Sequence, residues 1–545
     1  MNKQFGRAVS GVALVFILCA FQTNALADSL ADRITHFRIE TNDCPDAGCG
    51  NFIGASEQQI ADFLADDAQR RAAAQAMREA SSGGGAKKKN GQGLGLGKRN
   101  NDAQVVYLDF AGPPGFLVDD QLGLFGEPGL VALPAYVYSQ AEKDEIQARM
   151  EADYEQLNYR FTQSPPGSGD FTTITFYCLD QPCITITPTG GISILFGRAE
   201  NIDWRNKNRS DNAFADANFW QFAFLIDPSG GFLSGVTGLP IDPNDPNDPT
   251  AALSTAVVNQ SANTGAHELG HIIGQRHHDS FGAPGDGLPP RGVPNPAEFF
   301  PIFPGNQNAG ETFLHLMASG ASTGLTLAGS ANRDRFFSER ATVKNGTAAR
   351  GRLISEAAAT GNNGRVKLHN LVVSNPVLVG ENADGRLDVD SITIQGFLDR
   401  PGFPNELNEP EADRYRFRGE AGRFFNAEVI SFSDGGVTNP VIGGLTLYYV
   451  EEDGSLAPVA ANLQTFEPFD PLILDFPLPF DGDYVLEFTA PNFVLFPGAT
   501  PGEFLSFPLD QTGNAGLRTG DYELLLYIVE GALGSGPKRI PGPRS

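Results

Sequence analysis

The stretch His267-Glu268-Leu269-Gly270-His271-Ile272-Ile273-Gly274-Gln275-Arg276-His277-His278 holds four of the chain's seven histidines. It spells H-E-x-x-H-x-x-G-x-x-H. On a helix, His267 and His271 stand four residues apart and share a face, so both imidazoles reach one metal ion. Glu268 sits beside them, placed to act as general base on a metal-bound water. Gly274 takes positive φ without steric cost, so the helix can stop there and the chain can turn. That turn predicts His277 as a third ligand. Three histidines leave a fourth position for water, which is the arrangement of a catalytic rather than a structural Zn²⁺. His278 has three readings: a solvent-facing neighbour, a partner behind the ligands, or the third ligand after a one-residue slip. His315 reads as a loop histidine or as a substrate-side residue near the metal.

Several elements must carry these residues to one place. Val105 to Phe110 reads as a buried strand, and Ser139-x-x-Glu142 as a capping box that opens a helix. Ile146, Met150, Tyr154 and Leu157 then follow a helical stripe. Phe171 to Tyr177, Cys183 to Thr187 and Ile192 to Phe196 read as strands. The motif helix is expected after a long loop, and Phe336 to Val343 as a closing helix. These elements define an α+β catalytic domain over 102–345, with a mixed twisted sheet and a metal-bearing helix. Two loops are rich in oxygen ligands, one through Asn201, Asp203, Asn206, Asn208 and Asp211, the other over 242–248. Carboxylates and amides at such spacing suit a structural Ca²⁺, and equally suit solvated turns. After a linker over 346–366, residues 367–532 change to all-β character. Ile392 to Gly396, Asp413 to Phe417, Phe425 to Ile430, Leu445 to Val450, Asp483 to Phe488 and Asp521 to Ile528 read as strands of a sandwich or jelly-roll. Residues 533–545 form a tail.

The N-terminus reads as a secretory signal over 1–27. Lys3 and Arg7 precede the apolar stretch Ala8 to Phe21, and Ala25-Leu26-Ala27 fits signal cleavage. Cys19 raises a lipoprotein alternative, against which Leu18 stands where a small residue is needed. Residues 28–101 read as a pro-region and flexible linker, in which Ser81 to Gly85, Lys87 to Lys89 and Lys98-Arg99 are open to proteases. A small N-terminal domain with a plain linker is the alternative. Removing the signal leaves Cys44, Cys49, Cys178 and Cys183. Export makes disulfides the default, with two short-loop bridges the simplest of three pairings. The net charge of −26 argues against a nucleic-acid partner. No apolar run after the N-terminus is long enough for a membrane span in the mature protein.

At the histidine motif the chain resembles the metzincin metallopeptidases, nearest to matrixin-like bacterial secreted enzymes. The resemblance implies a zinc peptidase fold with a loop-rich lower subdomain and a methionine turn beneath the metal, here Met317. Ser319 stands where some members carry a tyrosine, so the oxyanion would rely on zinc and backbone groups. His278 stands where others carry Glu or Asp. It also implies activation by cleavage in the pro-region, where Cys44 could block the zinc as a thiolate, and structural Ca²⁺ near the first loop. Ala412 to Phe417, Ala421-Gly422 and Gly482-Asp483-Tyr484 resemble the bacterial pre-peptidase C-terminal domain. The resemblance as a whole implies a secreted zinc endopeptidase acting on protein or peptide substrates. Two other readings stay open: an extracellular adhesion or matrix-binding protein whose β domain binds a polymer, and a zinc hydrolase of a non-peptide bond. Substrate preference and oligomeric state are not legible from the sequence.

Overall fold

The computed structural model describes the backbone of 36–40 and of 103–529, apart from 156, 179–181, 241–248, 283–298, 301–311, 313, 319–328, 330, 361–364, 375–385, 399–411, 432–436, 438, 442, 463–469, 490–492, 498–503 and 509–518. Outside it lie the signal segment, most of the expected pro-region, Cys44, Cys49, the 242–248 loop, Ser319 and the tail.

The first half is mixed α/β. Its strands are β1 (His36–Glu40), β2 (Gln104–Asp109), β3 (Gly115–Asp120), β4 (Gly129–Pro134), β5 (Tyr159–Thr162), β6 (Thr172–Thr175), β7 (Ile184–Ile186), β8 (Gly191–Leu195), β9 (Gly197–Ala199) and β10 (Asn212–Ala215). One sheet runs β1-β8-β7-β3-β4, and β1 adds to its edge parallel to β8. The other runs β5-β2-β6-β10-β9, parallel except for the antiparallel edge strand β9. Helix α1 (Gln140–Asp153) opens as expected. Ser139 caps Glu142, whose carboxylate answers the Ser139 N–H at 2.7 Å. Its buried Ile146 and Met150, with Tyr154 just beyond, pack onto Val106, Leu108 and Ile174 of the second sheet.

Between β10 and the motif helix the sequence suggests a long loop, but the chain forms α2 (Asn218–Ile226) and α3 (Gly231–Thr237). Helix α2 is Asn-Phe-Trp-Gln-Phe-Ala-Phe-Leu-Ile, and its half-buried face carries Phe224 and Leu225 beside Gln221, so the 3.6-residue stripe is faint in the sequence. It is buried between the first sheet and the next helix, where Trp220 and Phe222 meet Ile192 and Ala256 within one core. Helix α4 (Thr250–Ile272) carries the motif and is buried along its second half.

The closing helix starts later than its composition suggests. Ser338 caps α5 (Glu339–Arg350) by accepting from the Ala341 N–H at 2.9 Å, which excludes Phe336 and Phe337 from the helix. The stretch expected as a linker carries the end of α5, then β12 (Leu353–Ser355) and α6 (Glu356–Thr360). β12 pairs with the second half of the molecule, parallel to β14 (Arg386–Leu398).

That second half is a two-sheet sandwich. Its strands, besides β12 and β14, are β11 (Phe299–Phe300), β13 (His369–Ser374), β15 (Ala412–Gly419), β16 (Phe424–Ile430), β17 (Gly444–Val450), β18 (Leu456–Asn462), β19 (Leu472–Pro477), β20 (Gly482–Thr489), the hairpin β21 (Phe493–Pro497) with β22 (Phe504–Pro508), and β23 (Gly520–Val529). One sheet runs β11-β18-β17-β20-β15; the other runs β12-β14-β23-β16-β19, with β13 on β14. Alternation divides the residues between faces. Tyr522, Leu524, Leu526 and Ile528 of β23 fill the inter-sheet core with Tyr415, Phe417 and Phe425. Leu525, Tyr527 and Val529 point the other way and share a second core with Trp204 and Val343 of the first half. The outer face of the sheet that contains β14, β23 and β16 is therefore buried against the α/β part.

Because the two halves share this core, we predict one calorimetric unfolding transition for the described fold. Leu525→Ala, on the shared face, is expected to lower stability by about 2–5 kcal/mol in denaturant titration while leaving a single transition. Two separated transitions in the parent protein would contradict this coupling.

Candidate metal centre

Helix α4 stops where the metal-ligand spacing needs it to stop. The Gly274 N–H bonds the His271 carbonyl at 2.8 Å and the Gln275 N–H bonds the Gly270 carbonyl at 2.9 Å, the two bonds of a Schellman cap. Gly274 has φ 94°, a conformation other residues enter only under strain. A Cβ there would also stand 2.6 Å from the Trp204 Cα. The chain thus reverses against Trp204, and a 3-10 turn over His277–Ser280 brings His277 back to the helix.

The three predicted ligands meet. The ring of His277 lies 5.3 Å from that of His267 and 5.0 Å from that of His271, centre to centre. The Nε2 atoms of His267 and His271 are 3.1 Å apart, and one nitrogen from each of the three rings falls within 4.8 Å of the others. All three side chains are buried. His267 Nδ1 lies 2.5 Å from the Leu316 carbonyl and His271 Nδ1 lies 2.8 Å from the Gln275 carbonyl. A carbonyl can only accept, so each Nδ1 carries the proton and each Nε2 turns its lone pair toward the cluster. Lone pairs gathered in this way suit a cation, and an all-imidazole donor set suits a borderline metal such as zinc. The residues present therefore fit the ion expected from the motif.

Glu268 is 1% exposed and lies under the edge strand β9. A Cβ at Gly197 would collide with its Oε1. Met317 lies against the helix: a Cβ at Gly270 would stand 2.5 Å from its sulfur. The Met317 segment is held by Arg335, whose guanidinium donates to the carbonyls of His315 and Ala318 at 2.5 and 2.8 Å. His315 is buried, stacks edge-on against Phe336, and sets its Nδ1 2.6 Å from the Ser280 carbonyl. It braces the far end of the His277 turn.

His278 departs from the solvent-facing reading, since it is 1% exposed. It groups instead with Asp279 and with Glu428 of β16. This second cluster has metal-ligand geometry but is already supplied with cations. The Lys344 ammonium lies 2.9 Å from Asp279 and 2.8 Å from Glu428, and the Arg276 guanidinium lies 3.4 Å from Glu428. Burial alone would raise the Glu428 carboxyl, but Lys344, Arg276 and His278 outweigh it and hold the group far below the usual carboxylate range.

In the first oxygen-rich loop, Asp203 and Asp211 are both buried. Their carboxylates accept hydrogen bonds from the loop itself: Asp203 from the Asn208 N–H at 2.6 Å, Asp211 from the side-chain amides of Asn201 and Asn208. Cys178 and Cys183 form a disulfide. The residues that sequence reasoning did not single out are Trp204, Arg276, Lys344 and Glu428 around the His277 turn, and Arg335 behind the Met317 segment. A sequence signal for such burial is the run Leu524 to Val529 of β23, which is apolar on both alternating faces and so is covered on both sides.

No protein-family model matches the chain, and no curated protein does. Among solved structures, the chain is similar to the pre-peptidase C-terminal domain of collagenase from Bacillus anthracis. The identity is 15% over 25% of this chain and 86% of that one, with a TM-score of 0.14.

Gly274→Ala tests the cap directly. Strain at φ 94° is expected to cost about 1–3 kcal/mol, and the clash with Trp204 should displace His277. Denaturant midpoints and zinc titration of the variant should both fall; a variant with unchanged metal affinity would show that the turn does not set the ligand.

Proposed function

We propose that this chain is a secreted zinc-dependent endopeptidase of metzincin type. One observation supports it above the others: three buried imidazoles converge on one point, with Glu268 one residue along the same helix. The mixed sheet with its antiparallel edge strand, helix α4 with two of the imidazoles, and the Met317 segment packed against that helix also support the reading.

When bound, zinc would polarise the scissile carbonyl and lower the pKa of a water toward neutrality. His267 and His271 would hold the ion through Nε2 lone pairs, fixed by the carbonyls behind Nδ1, and His277 through one nitrogen of its ring. Glu268 takes a proton from the attacking water and later gives it to the leaving amine. The buried wall around it, including Gly197 of β9, keeps bulk water from competing for that carboxylate. The sequence offers no tyrosine at the family position, so backbone donors assist the oxyanion.

The Cys178–Cys183 disulfide supports folding in an oxidising compartment. Among the described residues no helix is long and apolar enough to cross a membrane. Structural calcium at Asn201, Asp203 and Asp211 is a separate expectation, and the peptidase reading does not depend on it.

Glu268→Gln is expected to retain zinc and to lose hydrolysis of casein or gelatin by about 10²–10⁴-fold. His277→Ala is expected to lose the metal itself, read by metal analysis of the purified protein. Chelation should abolish cleavage and added zinc restore it. Undiminished cleavage by folded, zinc-loaded Glu268→Gln would sink the mechanism.

A further inference from the structure

We infer that the β-sandwich is a working part of the metal site, with Glu428 and Asp470 acting as positioning residues for His277. This rests on the reading of His277 as a ligand. Both chain neighbours of His277 turn away from the cluster and into the sandwich. The Arg276 guanidinium sets Nη2 2.6 Å from Asp470 Oδ2 and Nε 3.4 Å from Glu428 Oε1. His278 sets Nε2 3.6 Å from the same Glu428 oxygen. Arg276 and His278 are each 1% exposed. Lys344 closes the arrangement by joining Glu428 to Asp279, and the Asp279 carboxylate accepts the Arg276 backbone N–H at 2.8 Å.

The physical case follows from what the third ligand stands on. His277 opens a four-residue 3-10 turn, an element that has little stability of its own. Its position is set by what its flanks bind. Both flanks are buried and Arg276 is charged, so that guanidinium holds one geometry only while its counter-charges Asp470 and Glu428 are present. Glu428 and Asn426 project from the outer face of β16, while Phe425, Ala427 and Val429 project into the sandwich core. The inner face thus builds the sandwich, and the outer face places Glu428 at the ligand turn. Removal of Glu428 leaves Lys344 and Arg276 short of negative charge, and the turn must shift to relieve it. Partners behind metal ligands commonly change metal affinity by about 10–100-fold when removed.

The test uses the full chain. Zinc affinity is measured by competition with a chromophoric chelator, and coordination geometry by the visible spectrum of the cobalt-substituted protein. The variants are Glu428→Gln, the milder Asp470→Asn, and Glu523→Gln. Glu523 binds Arg205 at 2.6 Å across the same interface and serves as control. We expect Glu428→Gln and Asp470→Asn to weaken zinc binding about tenfold or more and to shift the cobalt bands. Glu523→Gln should lower Tm with metal affinity unchanged. Adding Glu428→Gln to His277→Ala should weaken residual metal binding no further. Wild-type affinity and spectrum in folded Asp470→Asn and Glu428→Gln would overturn the inference, as would an equal loss in Glu523→Gln. A wild-type chain that takes up no metal would instead overturn the ligand reading, and the inference with it.

Discussion

The reversal of the chain after helix α4 is the constraint on which the three-histidine cluster depends. A helix supplies two imidazoles one turn apart at no structural cost, but a third on the same helix cannot reach the same point. The chain must double back within a few residues. The Schellman bonds at Gly274 and Gln275 end the helix, and the Trp204 backbone pressed against Gly274 sets the direction of exit. Trp204 is fully buried, and its other surroundings are Val343, Ile430, Leu525 and Tyr527. One aromatic residue therefore touches the turn that aims His277 and also the core that joins the sandwich to the α/β part.

Charge is distributed in the same way. The sandwich presents Glu428, Asp470, Asp475 and Glu523 to the first half, and the first half answers with Arg276, Lys344, Arg340 and Arg205. Every carboxylate in this row is nearly or fully buried. Buried ion pairs add little net stability compared with apolar contacts, but breaking one is costly because a lone charge is left behind. Such a row is a poor adhesive and a good register device. It permits few relative placements of the two halves, and two of its members, Glu428 and Asp470, reach the residues that flank His277.

The site and its supports were unequally legible. His267, Glu268, His271 and His277 could be named because their chemistry is local: helix periodicity and one glycine relate them within eleven positions. The capping box at Ser139 and most sandwich strands were legible for the same reason, since caps and two-residue alternation are short-range patterns. Helix α2 was missed because its half-buried face also carries apolar residues, Phe224 and Leu225, which blurs the amphipathic stripe that marks a helix. The closing helix was misplaced by its composition, because Ser338, two residues past the expected start, caps it.

What the sequence by itself determined was which side chains come together, His267, His271 and His277 with Glu268 beside the first, for these depend on spacings that a single helix and turn impose. What only the tertiary structure decided was which groups surround the turn that carries His277. Glu428 lies 151 positions from His277 and Asp470 lies 193 away, and no local pattern relates a buried acid on a strand to a distant turn. The same limit applied to His278, whose neighbours in sequence suggest solvent. Its surroundings became protein only when the outer face of β16 closed over it. Contacts of that kind are made by packing, and packing is a property of the whole chain rather than of any stretch within it.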